Sequence, residues 1–353
     1  MSRSTWQAAG ALLVAFGLAA SLAMAQSPAV SPKEADYARD QQKQQLAQPL
    51  NNQPVWKEVR SGAPQVTTVL GRETNVLIQP EGQTWRAVRV PIAAAGGWLL
   101  ALVALGLMGY YAWRGPIELH GRPTGRMIER FSTVKRMAHW SMAISFVVLA
   151  ITGLVVTFGK AVLLPLIGYT LFSWLATLSK TLHNFIGPLF TVALAVFIVL
   201  FVRDNLPKAY DMQWLAKFGG MLDRTGKTHV PTGKFNAGEK ALFWILVCFL
   251  SVVLVVTGLI LDFPNFDQTR WTMQVANLLH LGAALLATAM AGFHIYLGTI
   301  GMRGAYEAMR YGYVDEAWAK EHHEYWYNDV ASGKVPRGSE PSASVPLGQH
   351  KPA

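Results

Sequence analysis

One cysteine, Cys248, stands in a chain of 353 residues, and it lies inside an apolar run. That scarcity excludes an intrachain disulfide, a cysteine-ligated iron–sulfur cluster and a haem attached through C-x-x-C-H. Charge is scarce too, at 15% of residues against 52% hydrophobic, where an ordinary soluble domain carries about 25% charged residues. Mean hydropathy is nevertheless only +0.24, so long apolar segments must alternate with polar ones. Asp and Glu are missing altogether from the long apolar segments, which argues against a transporter that moves protons on membrane carboxylates.

The chain opens Met1-Ser2-Arg3, continues apolar from Ala8 to Ala20 and reaches Ala23-Met24-Ala25, the tripartite form of a secretory signal over residues 1–25. An uncleaved anchor is the alternative, and both export the chain from residue 26 onward. Residues 26–60 are polar and read as extended. Between Gln65 and Pro91, the short runs 66–70, 75–78 and 84–88 are separated by Gly71, Pro80 and Gly82, which suggests small strands. Residues 26–92 are thus expected to form an exported polar segment with a small β module.

Five apolar segments follow, at about 93–113, 138–158, 183–202, 241–261 and 276–300, each near the ~20 residues that a membrane-spanning helix needs. Backbone polar groups in lipid must be satisfied internally, so these segments are helices. Lys and Arg number six in 114–136 and seven in 203–240, against two in 159–182 and one in 263–275. Positive residues collect on the cytoplasmic side, so the expected topology has the mature N-terminus periplasmic and the C-terminus cytoplasmic, in a bacterial inner membrane. The net charge of +10 belongs to those loops and calls for no nucleic acid. Residues 329–353, rich in Pro, Ser and Gly from Ser332 onward, are expected to be a disordered tail.

Of nine histidines, His120, His229, His322, His323 and His350 fall in polar loops or the tail and receive no role. His139, His183, His280 and His294 lie in or at the ends of spans, where an ionisable residue is costly and points to function. His280 and His294 are fourteen residues apart on one span, which at about 100° per residue returns to within about 40° of the same face and separates them by ~21 Å along the axis. Topology sets His183 beside His280 at an outer level and His139 beside His294 at an inner one. Two imidazoles per level complete the coordination of an iron porphyrin and leave no position open, which suits electron transfer. A zinc site would need more ligands. The implied cofactors are two b haems, in an all-α membrane bundle whose four-helix di-haem core (114–328) follows one extra helix (93–113). Gly153, Gly187, Gly282, Gly292 and Gly298 offer close approach. Arg136 and Arg203, at the cytoplasmic helix ends, are candidates for pairing with haem propionates, with topogenic charge as the plainer account.

The run Arg130-Phe131-Ser132-Thr133-Val134-Lys135-Arg136-Met137-Ala138-His139-Trp140, followed by Thr152-Gly153-Leu154, resembles the first haem-ligand helix of formate dehydrogenase gamma subunits. Leu182-His183-Asn184-Phe185-Ile186-Gly187, Lys234 to Lys240, Leu279-His280, His294-Ile295-Tyr296 and Ala319 to His323 are similar to that family's motifs in the same order. The resemblance covers roughly 125–328. It implies the same pairing, His183 with His280 and His139 with His294, and a quinone site on the cytoplasmic side beside the inner haem, with Asn236, Gly238 and His294 at matching positions. Asn236 and Glu239 also have the spacing of a helix cap. The resemblance implies as partners a molybdenum- or tungsten-containing formate-oxidising subunit and an iron–sulfur subunit, with quinone as acceptor. The alternatives are the cytochrome b subunit of a nickel-iron hydrogenase or another periplasmic oxidoreductase, and a non-redox transporter with a histidine relay.

Overall fold

Among the described residues, five helices are long and apolar enough to cross a membrane, and each follows from the requirement that backbone polar groups in lipid bond within their own segment. The computed structural model describes residues 80–339 apart from 224–227, 229 and 267, together with 60, 61 and 341. The expected signal peptide, the runs 66–70 and 75–78, His229 and His350 lie outside the described residues. Helix α1 is Pro80–Arg114, α2 Thr133–Val162 and α3 Leu164–Phe201. The fourth span, Ala237–Asp262, comprises α5 (Ala237–Leu242), a π-helical stretch Phe243–Leu250 and α6 (Ser251–Asp262), while a short helix α4 (Asp211–Ala216) precedes it. The fifth span, Arg270–Gly301, is α7 (Arg270–Tyr296) closed by a π turn, Leu297–Gly301. Large apolar side chains such as Phe185, Val192 and Val199 on α3 remain exposed, as a lipid-facing surface requires.

Helices α2 and α3 run antiparallel, as do α6 and α7. Helix α1 lies parallel to α7: Arg89 Nε donates to Asn277 Oδ1 at 3.3 Å, Leu285 fills the space over Gly96, and the rings of Tyr110 and Tyr111 meet that of Tyr296 edge-on.

Three expectations are corrected. Thr84–Val88 is helix rather than strand, because it continues without a break into the apolar run and shares its helical hydrogen bonding. The supposed loop 159–182 is helical apart from the turn at Leu163 and a kink at Gly168. Pro165 and Gly168 disguise the apolar continuity there, and Gly168 takes φ 75°, a conformation open to glycine. His183 therefore sits within α3 and not at its start. Residues 332–339 are held against the protein: Glu129 N donates to Arg337 O at 3.2 Å, Arg337 pairs with Glu316 at 2.6 Å, and Ser339 N donates to the Glu129 carboxylate at 2.9 Å.

One end of the bundle carries a polar cap. Strands β1 (Met127–Glu129) and β2 (Tyr313–Asp315) pair antiparallel with Ile128 opposite Val314, and α8 (Ala305–Tyr311), α9 (Glu316–His322) and α10 (Glu324–Ala331) complete it. Its core joins aromatic side chains of the spans to those of the cap, with Phe197 and Phe201 stacked at 4.2 Å and Phe131 beside Phe201 and Phe235. Arg130, only 5% exposed, lies against the rings of Phe131, Phe235 and Trp318, and its guanidinium donates to Lys234 O at 2.8 Å and to Glu239 at 3.0 Å. His323 is fully buried, with Nδ1 2.8 Å from Gly233 O. Burial first, and the Arg130 charge second, hold its pKa well below the ordinary histidine value, so it serves the cap as a neutral ring.

Lys240 and Asp211 form a buried ion pair at 2.8 Å between the fourth span and α4. Removing one partner leaves the other charge uncompensated, at a cost of about 3–5 kcal/mol. Lys240→Met is expected to lower thermal stability of the detergent-solubilised protein accordingly, and adding Asp211→Leu is expected to recover most of the loss. A double variant no more stable than the single one would contradict this account.

Candidate functional site

All four histidines of the spans face one another in two pairs. The ring of His183 on α3 lies 6.2 Å, centroid to centroid, from that of His280 on α7. At the level nearer the cap, the ring of His139 on α2 lies 6.2 Å from that of His294 on α7. Fourteen residues of α7 separate the levels by ~21 Å.

The far pair is held by a motif used twice. Thr152 Oγ1 lies 2.9 Å from His183 Nδ1, and Thr257 Oγ1 lies 3.0 Å from His280 Nδ1. Each threonine is followed by a glycine on which the imidazole rests: a Cβ at Gly153 would stand 3.3 Å from His183 Cε1, and one at Gly258 would stand 3.3 Å from His280 Cε1. Each hydroxyl also reaches back a turn, to Val148 O at 2.8 Å and to Val253 O at 2.6 Å. The sequence reading missed Thr152, Thr257 and Gly258 as contributors. Their signal was the recurrence of Thr-Gly-Leu at 152–154 and 257–259.

The near pair is built differently. His139 Nδ1 is buried with no hydrogen-bond partner among the described residues. Its ring is positioned by packing against Trp140, edge-on at 5.4 Å, and Phe197. The Trp140 indole in turn donates to Met309 O at 3.2 Å.

The pairs meet the demands of a metalloporphyrin. An imidazole–metal bond of about 2 Å on each side, plus about 1 Å from each ligating nitrogen to its ring centre, calls for centroids about 6 Å apart. Gly187 stands one helical turn beyond His183 and Gly298 one turn beyond His294, and nothing lies within 4 Å of a Cβ placed at either glycine, so a flat ring has room over both. Among the described residues no three His, Cys, Asp or Glu side chains gather to hold a free ion. The residues present therefore fit bis-imidazole haem.

Other sequence candidates lie in the cap. Arg136 donates to Arg310 O at 2.8 Å and to Thr133 Oγ1 at 3.1 Å, while Arg203 is exposed in the short 3-10 turn after α3. Asn236 caps the fourth span, accepting from Glu239 N at 2.9 Å while its own N–H donates to the Glu239 carboxylate at 2.8 Å. Gly238 is covered by the Trp214 ring, which lies 2.7 Å from where a Cβ would stand. His120, given no role from sequence, lies 2.7 Å from Glu321.

The profile of the family described as prokaryotic cytochrome b561 matches residues 130–312, which include all four histidines and both Thr-Gly pairs. The chain belongs to that family. Among curated relatives, the cytochrome b556(Fdn) subunit of the nitrate-inducible formate dehydrogenase of Escherichia coli K12 is 31% identical over 224 residues, covering 61% of this chain and 97% of the relative. The cytochrome b556(fdo) subunit of formate dehydrogenase from the same strain is 31% identical over 58% of this chain and 93% of the relative. The formate dehydrogenase cytochrome b556 subunit of Haemophilus influenzae is 28% identical, over 59% and 85%. Within its family the chain is thus a cytochrome b subunit of the formate dehydrogenase kind, a multi-pass membrane protein that holds haem b.

Because a Cβ at Gly258 would stand only 3.3 Å from His280 Cε1, Gly258→Ala is expected to push the imidazole by a few tenths of an ångström. The expected result is a reduced haem-to-protein ratio in the purified complex with the protein level in membranes maintained. An unchanged ratio would show that the close approach is incidental.

Proposed function

We propose that this cytochrome b subunit holds two b haems, one between His183 and His280 and the other between His139 and His294, and carries electrons from formate oxidation outside the membrane to a quinone. The observation behind this reading is the two facing imidazole pairs, ~21 Å apart along one helix. When bound, haem would supply a one-electron couple at each level, held by His183 and His280 at the far level and by His139 and His294 at the near one.

The chain's own residues do the rest. They anchor one face of each macrocycle to α7, exclude water by apolar packing, and keep the imidazoles neutral and oriented. Formate oxidation belongs to a molybdenum- or tungsten-containing subunit, and delivery of its electrons to an iron–sulfur subunit, both on the far side of the membrane from the cap. The basic residues of the capped end favour the cytoplasm for it, and that end is where a quinone would take up protons. Moving each electron inward works against about 2.3 kcal/mol per 100 mV of membrane potential. Arg203, exposed after α3, has its guanidinium open to a propionate, whereas Arg136 spends Nη1 and Nη2 on Arg310 O and Thr133 Oγ1 and has only its buried Nε left to offer. Asn236 keeps its amide N–H groups for a quinone carbonyl, whereas Trp214 would have to move for one to reach Gly238.

A reduced-minus-oxidised spectrum of membranes containing the whole complex tests the reading. Formate is expected to produce a b-type band of two haems per chain. His280→Ala is expected to remove one haem and His139→Ala the other. Retention of both haems in either variant would refute the ligand assignment, and a band that rises with hydrogen but not formate would assign the chain to a different dehydrogenase.

A further inference from the structure

Both imidazoles of the far pair have a threonine hydroxyl on Nδ1. A hydroxyl has one proton to donate. At Thr152 and Thr257 it is directed to the backbone carbonyls of Val148 and Val253, at 2.8 and 2.6 Å. That leaves each oxygen as an acceptor toward the histidine. With Nε2 on the iron, as the ligand assignment requires, Nδ1 of His183 and of His280 carries the ring proton and donates it to the threonine oxygen. At the near level, His139 Nδ1 is buried without an acceptor among the described residues.

A ligating imidazole that donates its other N–H to an acceptor gains basicity, and a more electron-donating axial ligand favours ferric over ferrous iron. Second-shell hydrogen bonding is one of the protein's means of setting a haem potential. We propose that Thr152 and Thr257 are positioning residues that lower the reduction potential of the far haem relative to the near one. The two Thr-Gly pairs thereby build a fall in energy toward the capped end into the helices themselves. The glycine is part of the device, since at either position a Cβ would crowd the ring that the hydroxyl orients.

The inference rests on the ligand assignment above, and a redox titration of the whole complex separates the two. Thr152→Val, Thr257→Val and the double variant remove the hydroxyl acceptor while keeping the shape, leaving the backbone carbonyls of Leu149 and Leu254 as the remaining acceptors near the two rings. The haem that is lost in His183→Ala is expected to titrate at higher potential in these variants, and the other haem at its original value. For the double variant the expected displacement is about tenfold in the ferrous-to-ferric ratio at fixed ambient potential, which is about 59 mV for a one-electron couple. Each single variant is expected to shift by about half of that. Thr152→Ser and Thr257→Ser, which restore the hydroxyl, are expected to return the value to that of the parent. If the double variant does not retain haem, the single variants, each with one hydroxyl left, carry the comparison. An unmoved far haem, an equal shift of both haems, or serine variants that behave like valine would overturn the proposal while leaving the histidine ligands in place. Retention of both haems in His183→Ala would instead remove the assignment on which it stands.

Discussion

Four uncharged imidazoles have to be kept in two facing pairs inside a hydrocarbon layer, where no water is present to satisfy a misplaced ring nitrogen, and the helices are arranged to meet that demand. Helix α7 contributes one ring to each pair, α2 and α3 contribute the opposing rings, and the fourth span contributes no histidine but the Thr257 hydroxyl and the Gly258 gap. The two antiparallel hairpins use one relationship: the earlier helix offers Thr-Gly and the later helix offers the histidine that rests on it. An unpaired polar nitrogen in such surroundings costs about 1–3 kcal/mol, so threonine hydroxyls that also satisfy themselves on their own helix are an economical solution.

The near pair has no such hydroxyl on His139, and its geometry is set from the cap. Arg136 and Trp140, on either side of His139 in the sequence, both bond to carbonyls at the end of α8. Helix α8 follows closely on the π turn that ends the helix of His294. Cap and spans are joined by Arg130, whose charge is tolerable in its buried position because Glu239, a carbonyl and three aromatic faces surround it. The motif Lys234 to Lys240 is accounted for largely within this network: Lys234 on Asp204, Phe235 in the core, Asn236 and Glu239 in a reciprocal cap, Lys240 on Asp211.

The spans and the histidine pairing were legible because they depend on signals that survive without coordinates: apolar length, basic loops, and a fourteen-residue interval that keeps two rings on one face. The Thr-Gly device was not, since threonine and glycine are ordinary residues of membrane helices and only the ring packed against them reveals their use. Arg136 and Asn236 were ambiguous from sequence for a related reason. A charged or amide side chain at a helix end can serve a ligand or the backbone, and in the structure both bond to nearby backbone groups. The strand expected at Thr84–Val88 came from alternation over five residues, too short a window to outweigh the helix it leads into. The tail was judged on composition, which carries no record of the Glu129 and Glu316 carboxylates that hold residues 337 and 339.

Helix α1 lies outside the stretch matched by the family profile, yet it is laid along the one helix that serves both levels. Its contacts fall beside the two histidines that α7 carries. Arg89 bonds Asn277, three residues before His280; Leu285 fills the gap over Gly96 midway; Tyr110 and Tyr111 close edge-on about Tyr296, two residues after His294. Edge-to-face aromatic pairs contribute about 0.5–1.5 kcal/mol each beyond their buried area, and the directional Arg89–Asn277 bond resists sliding as well as separation. A helix so held at both ends and in the middle cannot easily shift along its axis, and a shift of α7 would disturb both imidazole pairs at once. The added span is therefore best understood as a splint for α7.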